Sequence, residues 1–169
     1  MPLRARGIDF SELDLKIDHL VEHSHHVATE NVHETHIWPS QPNVNAVLTA
    51  GAVANNWSVW QRLRDSGGSA FHHSDHNVHI SALELESASA GTDIYFIELA
   101  YGADMTTITR LRFSSASIGQ LPPLHLLRIR SVDVPTGERL YYRCKCSTGG
   151  STVNIALRWH EDYVIATPC

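Results

Sequence analysis

The C-terminal part of the sequence alternates between apolar and polar residues, and this pattern constrains the fold more than any other feature. A period of two is typical of a β-strand with one buried face. Residues 153–159 place four apolar side chains on one phase: Val153, Ile155, Leu157 and Trp159. Residues 139–146 alternate in the same way, with Leu140, Tyr142, Cys144 and Cys146 on the apolar phase. The short segment 147–151, which contains two glycines, predicts that these two strands form a β-hairpin.

Further strands are predicted along the chain from residue 44 onward. Turn signals separate six more candidate strands, at residues 44–50, 57–63, 78–85, 94–101, 107–113 and 124–134. The apolar phase slips between Ile80 and Leu83, which a β-bulge near Ala82 would explain. No helical period follows residue 43, so a parallel βαβ architecture is not expected. The sequence therefore predicts an all-β fold, an eight-stranded antiparallel β-sandwich of the jelly-roll type.

The first 40 residues differ in composition from the rest and predict an N-terminal arm. They contain three basic and seven acidic residues, and they hold six of the twelve histidines. Ser11 is suited to cap a short helix at about residues 11–23. The apolar stripe of this helix consists of Leu13, Ile17, Leu20 and Val21. So short a helix is expected to need a docking surface to persist. Because of the difference in composition, we divide the chain into an arm (residues 1–40) and a sandwich domain (residues 41–169).

The composition argues against several classes of protein. The net charge of −5 gives no reason to expect nucleic-acid binding, and no apolar run approaches the ~20 residues of a membrane span. No apolar stretch follows the basic N-terminus, so no secretory signal is predicted and the protein is expected to be made in a cytoplasm. Charged residues make up only 18% of the chain, which indicates that much of its surface meets other protein.

Three cysteines are too few for a disulfide framework. Cys144 and Cys146 lie two residues apart on one strand, so their side chains point the same way and are expected to pack as core residues. An interchain disulfide through Cys169 is left open. A catalytic dyad of Cys144 with His160 is a weaker alternative, and no nucleophile elbow, P-loop or dinucleotide-binding motif accompanies it.

The twelve histidines are the most unusual feature of the composition. His72, His76 and His79 would share one face if their segment were helical, which would suit Zn²⁺ or Ni²⁺. The segment contains Gly67 and Gly68 and leads into a strand, so we favour solvated or interface histidines and predict no bound metal or cofactor. A pH-dependent docking of the histidine-rich arm is a further hypothesis.

Several segments of the sequence share a pattern with a known family. A histidine-bearing strand with a bulge and a Y-x-x-x-L-x-Y-G strand lie within NVHISALELESASAGTDIYFIELAYG. They are followed by R-x-R-F in ITRLRFS, by a V-P-x-G-x-R-L turn in VPTGERLYYRCKCSTGG, and by a terminal strand that ends in His-x-x-Tyr in STVNIALRWHEDY. Over about residues 30–163, the chain resembles the jelly-roll capsid decoration (cement) proteins of tailed bacteriophages.

The resemblance implies a structural protein of the virion, with no enzymatic activity. Family members form trimers on the capsid surface and clamp the expanded shell of major capsid protein. The resemblance therefore implies a homotrimer that binds the major capsid protein and reaches neighbouring decoration subunits through its arm, without nucleic acid or membrane. Candidate contact residues are Leu13, Ile17, Leu20, Val21, Trp38, Arg139, Arg143 and Arg158, together with the loops at 66–77 and 114–123.

Two other functions stay open. The first is a binding module for host carbohydrate on the phage surface or tail, for which Trp38, Trp57, Trp60 and Trp159 could supply a sugar platform. The second is a cupin-like metalloprotein that uses the histidines near residue 76. Paired carboxylates such as Glu84 and Glu86 are adequately explained as groups at a strand edge.

Overall fold

The alternating segments of the sequence form strands of a two-sheet sandwich. The computed structural model describes residues 35–72, 76–118, 125–130 and 132–161. Within these ranges lie nine strands and a turn of 3-10 helix at Ser115–Ser117. The strands are β1 (His36–Trp38), β2 (Ala46–Thr49), β3 (Gln61–Arg62), β4 (Val78–Ala88), β5 (Ile94–Tyr101), β6 (Thr106–Ser114), β7 (His125–Arg128), β8 (Leu140–Cys146) and β9 (Thr152–Glu161).

The strands pair antiparallel in two sheets. The five-stranded sheet has the order β7–β4–β9, and both β1 and β2 pair with the far edge of β9. The four-stranded sheet has the order β3–β8–β5–β6. Four pairings are nested, because β2 pairs with β9, β3 with β8, β4 with β7 and β5 with β6. The second half of the chain therefore runs back along the first, and the predicted all-β sandwich is confirmed.

The core lies between the two sheets, and it contains the apolar phases that the sequence indicates. Val153, Ile155 and Leu157 of β9 are fully buried. The apolar phase of β8 is buried too: Leu140, Tyr142, Cys144 and Cys146. Each fully buried aliphatic or aromatic side chain contributes about 1.5–3 kcal/mol relative to an exposed one, so these two strands supply much of the stabilisation.

Strand β4 contains the predicted β-bulge. Its register with β9 shifts between Ile80 and Ala82, which makes Ser81 the extra residue. The bulge places Leu83 and Leu85 on the face that Ile80 already uses, and all three are buried. A second shift near the end of the same strand, between Leu85 and Ser87, was not predicted.

The predicted hairpin of residues 139–146 and 153–159 is wrong. β8 lies in the four-stranded sheet between β3 and β5, whereas β9 lies in the five-stranded sheet. Residues 147–151 cross from one sheet to the other and pack against the loop after β2. Gly149 is required there, since a Cβ on this residue would clash with the backbone carbonyl of Ala52, and Gly150 adopts a positive φ of 72°.

Other strand boundaries differ from the prediction. The candidate strands at 57–63 and 124–134 correspond to the shorter strands β3 and β7. Before β3, the chain still runs beside β8, but the Ser58 hydroxyl accepts the hydrogen bond from the Cys144 amide at 3.0 Å. At this position a side-chain hydroxyl takes the place of a backbone carbonyl as the acceptor. Regular backbone pairing with β8 therefore starts only at Gln61.

The boundary of the predicted arm also changes. His36–Trp38 forms β1, which pairs with residues 157–159 of β9, so this end of the arm belongs to the sandwich. Strand β1 has only three residues and is followed by Pro39, so it is too short for its alternation of apolar and polar residues to predict a strand. The predicted helix at 11–23 lies outside the described residues. In the ranges that are described, no helix has the length and apolar character of a membrane span.

Candidate binding surface

The outer face of the four-stranded sheet brings cationic and aromatic side chains together. On β5, Phe96 and Glu98 point away from the core, opposite to the buried Tyr95 and Ile97. The register places Lys145 and Arg112 on either side of Phe96. In the next row, Arg143 and Arg110 lie on either side of Glu98. Antiparallel partners share one face of a sheet, so the alternation of three strands creates this arrangement.

Glu98 is the centre of an ion-pair network. Its side chain is only 1% exposed. Arg110 donates from Nε to Oε1 at 2.8 Å, and Arg143 donates from Nε and Nη2 to Oε2 at 2.7 and 2.6 Å. The Thr107 hydroxyl also donates to Oε1, at 3.2 Å. The carboxylate therefore has the several charge-assisted hydrogen bonds that a buried charge needs.

These contacts keep Glu98 ionised. Burial raises the pKa of its carboxyl, but the hydrogen bonds from Arg110 and Arg143, the charge of Arg143 and the hydrogen bond from Thr107 outweigh this effect. The pKa of Glu98 consequently lies below its ordinary value. The side chain acts as a fixed negative charge that orients two arginines, and not as a group poised to exchange a proton.

Rings and cations alternate across the same face in a row that we call the cation–aromatic ladder. Its members in spatial order are Trp60, Arg143, Trp57, Lys145, Phe96 and Arg112. The Arg143 guanidinium carbon lies 4.8 Å from the ring centroids of both Trp57 and Trp60. Lys145 Nζ lies 5.0 Å from the Trp57 centroid and 4.6 Å from that of Phe96. Arg112 completes the ladder at 5.6 Å from Phe96, and all these distances are within the range of cation–π attraction.

The ladder is partly exposed and positively charged. Phe96, Trp57, Trp60 and Lys145 are half-buried, whereas Arg112 is exposed. The outward-facing residues of β5, β6 and β8 include four basic groups and one acidic group, Glu98, in a chain whose net charge is −5. The positive charge is therefore concentrated on this face, and its long side chains are held in place by aromatic rings and by Glu98.

The outer face of the five-stranded sheet carries a second buried glutamate. Glu84 of β4 is 6% exposed and pairs with Arg158 of β9. Beside this pair is a cavity of about 680 Å³, lined by Glu84, Glu86, Ala156 and residues 35–42. Burial raises the pKa of Glu86, and the negative charge of Glu84 raises it further, against a smaller effect of the hydrogen bond from Asn45.

The candidate metal ligands do not converge. His72 is exposed in a loop and His76 is half-buried ahead of β4. His79 lies within β4, so the hypothetical helical face of the three residues does not form at that position. The His79 ring stacks on His160 at 5.1 Å, and its Nε2 lies 2.6 Å from Asp133 Oδ1. Among the described residues, no group of three histidine, cysteine or acidic side chains could hold a metal ion.

The predicted contact residues have different environments. Arg143 and Arg158 face away from the core but are paired with buried glutamates, whereas Arg139 is exposed. Trp38 packs edge-on against Phe71 at 5.8 Å, beside the core. The other arm candidates, Leu13, Ile17, Leu20 and Val21, lie outside the described residues, as do 73–75 and 119–123 of the two candidate loops.

The cysteine dyad is wrong because its members occupy different sheets. Cys144 points into the core from β8, whereas His160 lies on β9, next to the core-packed Trp159 and on the opposite phase. Burial and the neighbouring Cys146 raise the pKa of Cys144 to about 12, so the thiol is not a nucleophile at neutral pH. Both thiols are free and buried, as predicted for core residues.

Sequence reasoning missed the ladder and the role of Glu98. The signals were present as i, i+2 pairs on three strands: Arg110 and Arg112, Phe96 and Glu98, Arg143 and Lys145. Only the strand order places these pairs side by side.

No protein-family model matches the chain, and no curated protein is significantly similar to it.

Proposed function

We propose that this protein is a virion structural protein, a capsid decoration subunit that binds the shell of major capsid protein as a trimer and stabilises it. The observation that carries the proposal is the cation–aromatic ladder. It is a charged surface whose side chains contact one another before any partner binds, and such pre-organised surfaces suit a large partner. In the described part of the chain, its cations contact aromatic rings and, for Arg143, the Glu98 carboxylate, and they are not arranged around a space in which a substrate could react.

We further infer that the sandwich is a jelly roll. The nested pairing of β2 with β9, β3 with β8, β4 with β7 and β5 with β6 supports this inference. In a jelly roll, a long antiparallel hairpin wraps so that its arms alternate between two four-stranded sheets. β1 would then be an addition beside β2 on the edge of β9. Jelly rolls are common in viral capsid proteins but also in lectins and cupins, so the fold supports the proposal without deciding it.

The sequence pattern adds support because its segments fall on regular elements. The segment with the bulge corresponds to β4, the Y-x-x-x-L-x-Y-G segment to β5 and R-x-R-F to β6. The last two segments include β8 and β9. Four members of the ladder, Phe96, Arg112, Arg143 and Lys145, lie within these segments, whereas Trp57 and Trp60 do not. The pattern that resembles decoration proteins therefore builds part of the candidate binding surface.

Reconstitution on capsids tests the proposal. Expanded shells of the cognate major capsid protein that lack this protein are mixed with the purified full chain, and binding is measured by co-sedimentation. We expect saturable binding in multiples of three copies and a higher temperature of shell disruption in calorimetry. Shells that bind no protein, or that bind it without any gain in heat resistance, would contradict the proposal.

Carbohydrate binding is the second candidate function. Trp57 and Trp60 lie on the outer face of the four-stranded sheet, as a sugar platform requires. Their rings already contact the Arg143 guanidinium, which leaves less ring surface for a sugar to stack on. A glycan array probed with the labelled full chain distinguishes this function, because strong binding to a defined glycan that a Trp57→Ala variant loses would favour it.

A further inference from the structure

We infer that the cation–aromatic ladder binds a carboxylate-rich surface of a protein. This inference rests on the proposed function and names the chemistry of the partner. Arg112, Lys145 and Arg143 present cationic groups on one face of a chain that is otherwise acidic, so the face is complementary to negative charge. The partner must therefore supply anionic groups, and the geometry of the rings decides which kind.

The ring faces are already in use within the ladder. Trp57 contacts Arg143 and Lys145, and Phe96 contacts Lys145 and Arg112. Nucleobases and sugars bind aromatic platforms by stacking on an open ring face. A ligand that stacks on Trp57 or Phe96 would have to displace the cations of the ladder. A carboxylate needs no ring face, because it binds the outward N–H groups of the cations directly.

The cations are also fixed before the partner arrives. Glu98 holds Arg143, and the rings of Trp57 and Phe96 hold Lys145 on two sides. Free lysine and arginine side chains lose rotamer entropy when they are immobilised in a contact. Here that loss has occurred on folding, so carboxylates meet an ordered surface. A fixed spacing of cations across three strands suits the fixed spacing of acidic side chains on a folded protein.

The test uses the full chain and fluorescently labelled poly-L-glutamate, a polypeptide whose side chains carry only carboxylates. Both molecules are net anions, so binding requires a local cationic surface. We expect binding in fluorescence anisotropy that weakens as salt is added. The double variant Arg112→Gln/Lys145→Gln should weaken binding about tenfold. The matched control Arg128→Gln/Arg130→Gln removes two exposed cations elsewhere and should change it less than about twofold.

Several outcomes would overturn the inference. Absence of poly-L-glutamate binding at low salt is one, and equal losses in the two double variants is another. Tighter binding of oligothymidylate or dextran sulfate at matched charge would assign the surface to nucleic acid or to an acidic polysaccharide. Thermal unfolding of each variant, which should match the parent within a few degrees, confirms that a loss of binding is not a loss of fold.

The same variants separate this inference from the proposed function. If the parent chain binds capsid shells and Arg112→Gln/Lys145→Gln binds them equally well, the ladder is not the contact and the inference fails while the function stands. If the chain binds poly-L-glutamate through the ladder but does not bind shells, the surface is assigned correctly and the proposed function fails.

Discussion

The outer faces of the two sheets each bury a glutamate, and they hold it differently. In the four-stranded sheet, Glu98 lies between two strands that both present an arginine directly opposite. In the five-stranded sheet, Glu84 faces Leu126 on one side and Ala156 on the other, and its partner Arg158 reaches it from a diagonal position. The first carboxylate organises a whole surface, whereas the second anchors one side chain.

The surroundings of the two pairs extend the difference. The four-stranded sheet continues into the cation–aromatic ladder, in which every long side chain has a neighbour that fixes it. The five-stranded sheet exposes apolar residues on three strands, with Ile37 at 45%, Val47 at 37% and Leu126 at 38%, whereas the four-stranded sheet exposes Ile94 at 37%. The two faces therefore differ in the contacts of their long side chains: one joins them by ion pairs and cation–π contacts, whereas the other has a single buried ion pair beside exposed apolar residues.

The largest expected effect is the loss of the Glu98 carboxylate. Glu98→Gln leaves Arg110 and Arg143 without their counter-charge, so we expect the free energy of unfolding to fall by about 3 kcal/mol. Glu84→Gln removes the partner of a single arginine, Arg158, and should cost about 2 kcal/mol. Urea unfolding of both variants measures the difference. A larger loss of stability in Glu84→Gln than in Glu98→Gln would contradict the expectation that Glu98 contributes more to the free energy of unfolding.

Acid sharpens the same comparison. The pKa of Glu98 is lowered on folding, so its contribution to stability is complete above the ordinary value of 4.5 and is lost as the pH falls below 4.5 and through the folded-state pKa. We expect the stabilities of the parent and of Glu98→Gln to converge over this acid range. Chemical unfolding at a series of pH values is the measurement. A difference that stayed constant down to the acid transition would mean that Glu98 is not ionised in the fold.

A smaller effect is expected within the ladder. Trp57 contacts two cations and Trp60 contacts one. Trp57→Leu should therefore destabilise the protein by about 2 kcal/mol and Trp60→Leu by about 1 kcal/mol. Adding Lys145→Met to each variant completes a double-mutant cycle. Coupling of Lys145 to Trp57 but not to Trp60 is the expected result, and equal coupling would contradict the order of the ladder.

The smallest effect is on the five-stranded face. Folding raises the pKa of Glu86 above its ordinary value of 4.5. The ionised carboxylate therefore lowers the free energy of unfolding at pH values above the folded-state pKa. This destabilisation disappears as the pH falls towards 4.5 and the carboxyl is protonated in both states. Glu86→Gln should stabilise the protein at pH 7 by at most about 0.5 kcal/mol and should have no effect at pH 4. Thermal unfolding at the two pH values compares the parent with the variant, and Glu138→Gln, at an exposed position before β8, is the control for charge removal.

Much of the fold was predictable because single strands carry their burial pattern in the sequence. The apolar phases of β8 and β9 and the bulge in β4 follow from a period of two, which is a local property. The pairing of those strands is not local. A short glycine-containing link predicted a hairpin of β8 and β9, and the pattern holds no information that the link instead joins two sheets.

The candidate site was harder to predict for the same reason. Arg143 was predicted as a contact residue, but its partners Glu98, Trp57 and Trp60 are 45 to 86 positions away along the chain. Their assembly depends on β5 lying between β8 and β6. An outward glutamate on an apolar strand was the one local sign, because an isolated charge among buried neighbours requires a partner.

The nested pairing also has a consequence for synthesis of the protein. The strands β1 to β4 leave the ribosome well before β7, β8 and β9, which contain most of their partners. High contact order makes folding slow, and unpaired strands expose their edges in the meantime. Because β9 joins β1, β2 and β4, the five-stranded sheet is incomplete until residues 152–161 have been translated. The complete sandwich therefore cannot form before residues 152–161 have left the ribosome, and a nascent chain that stalls earlier exposes edges that favour aggregation.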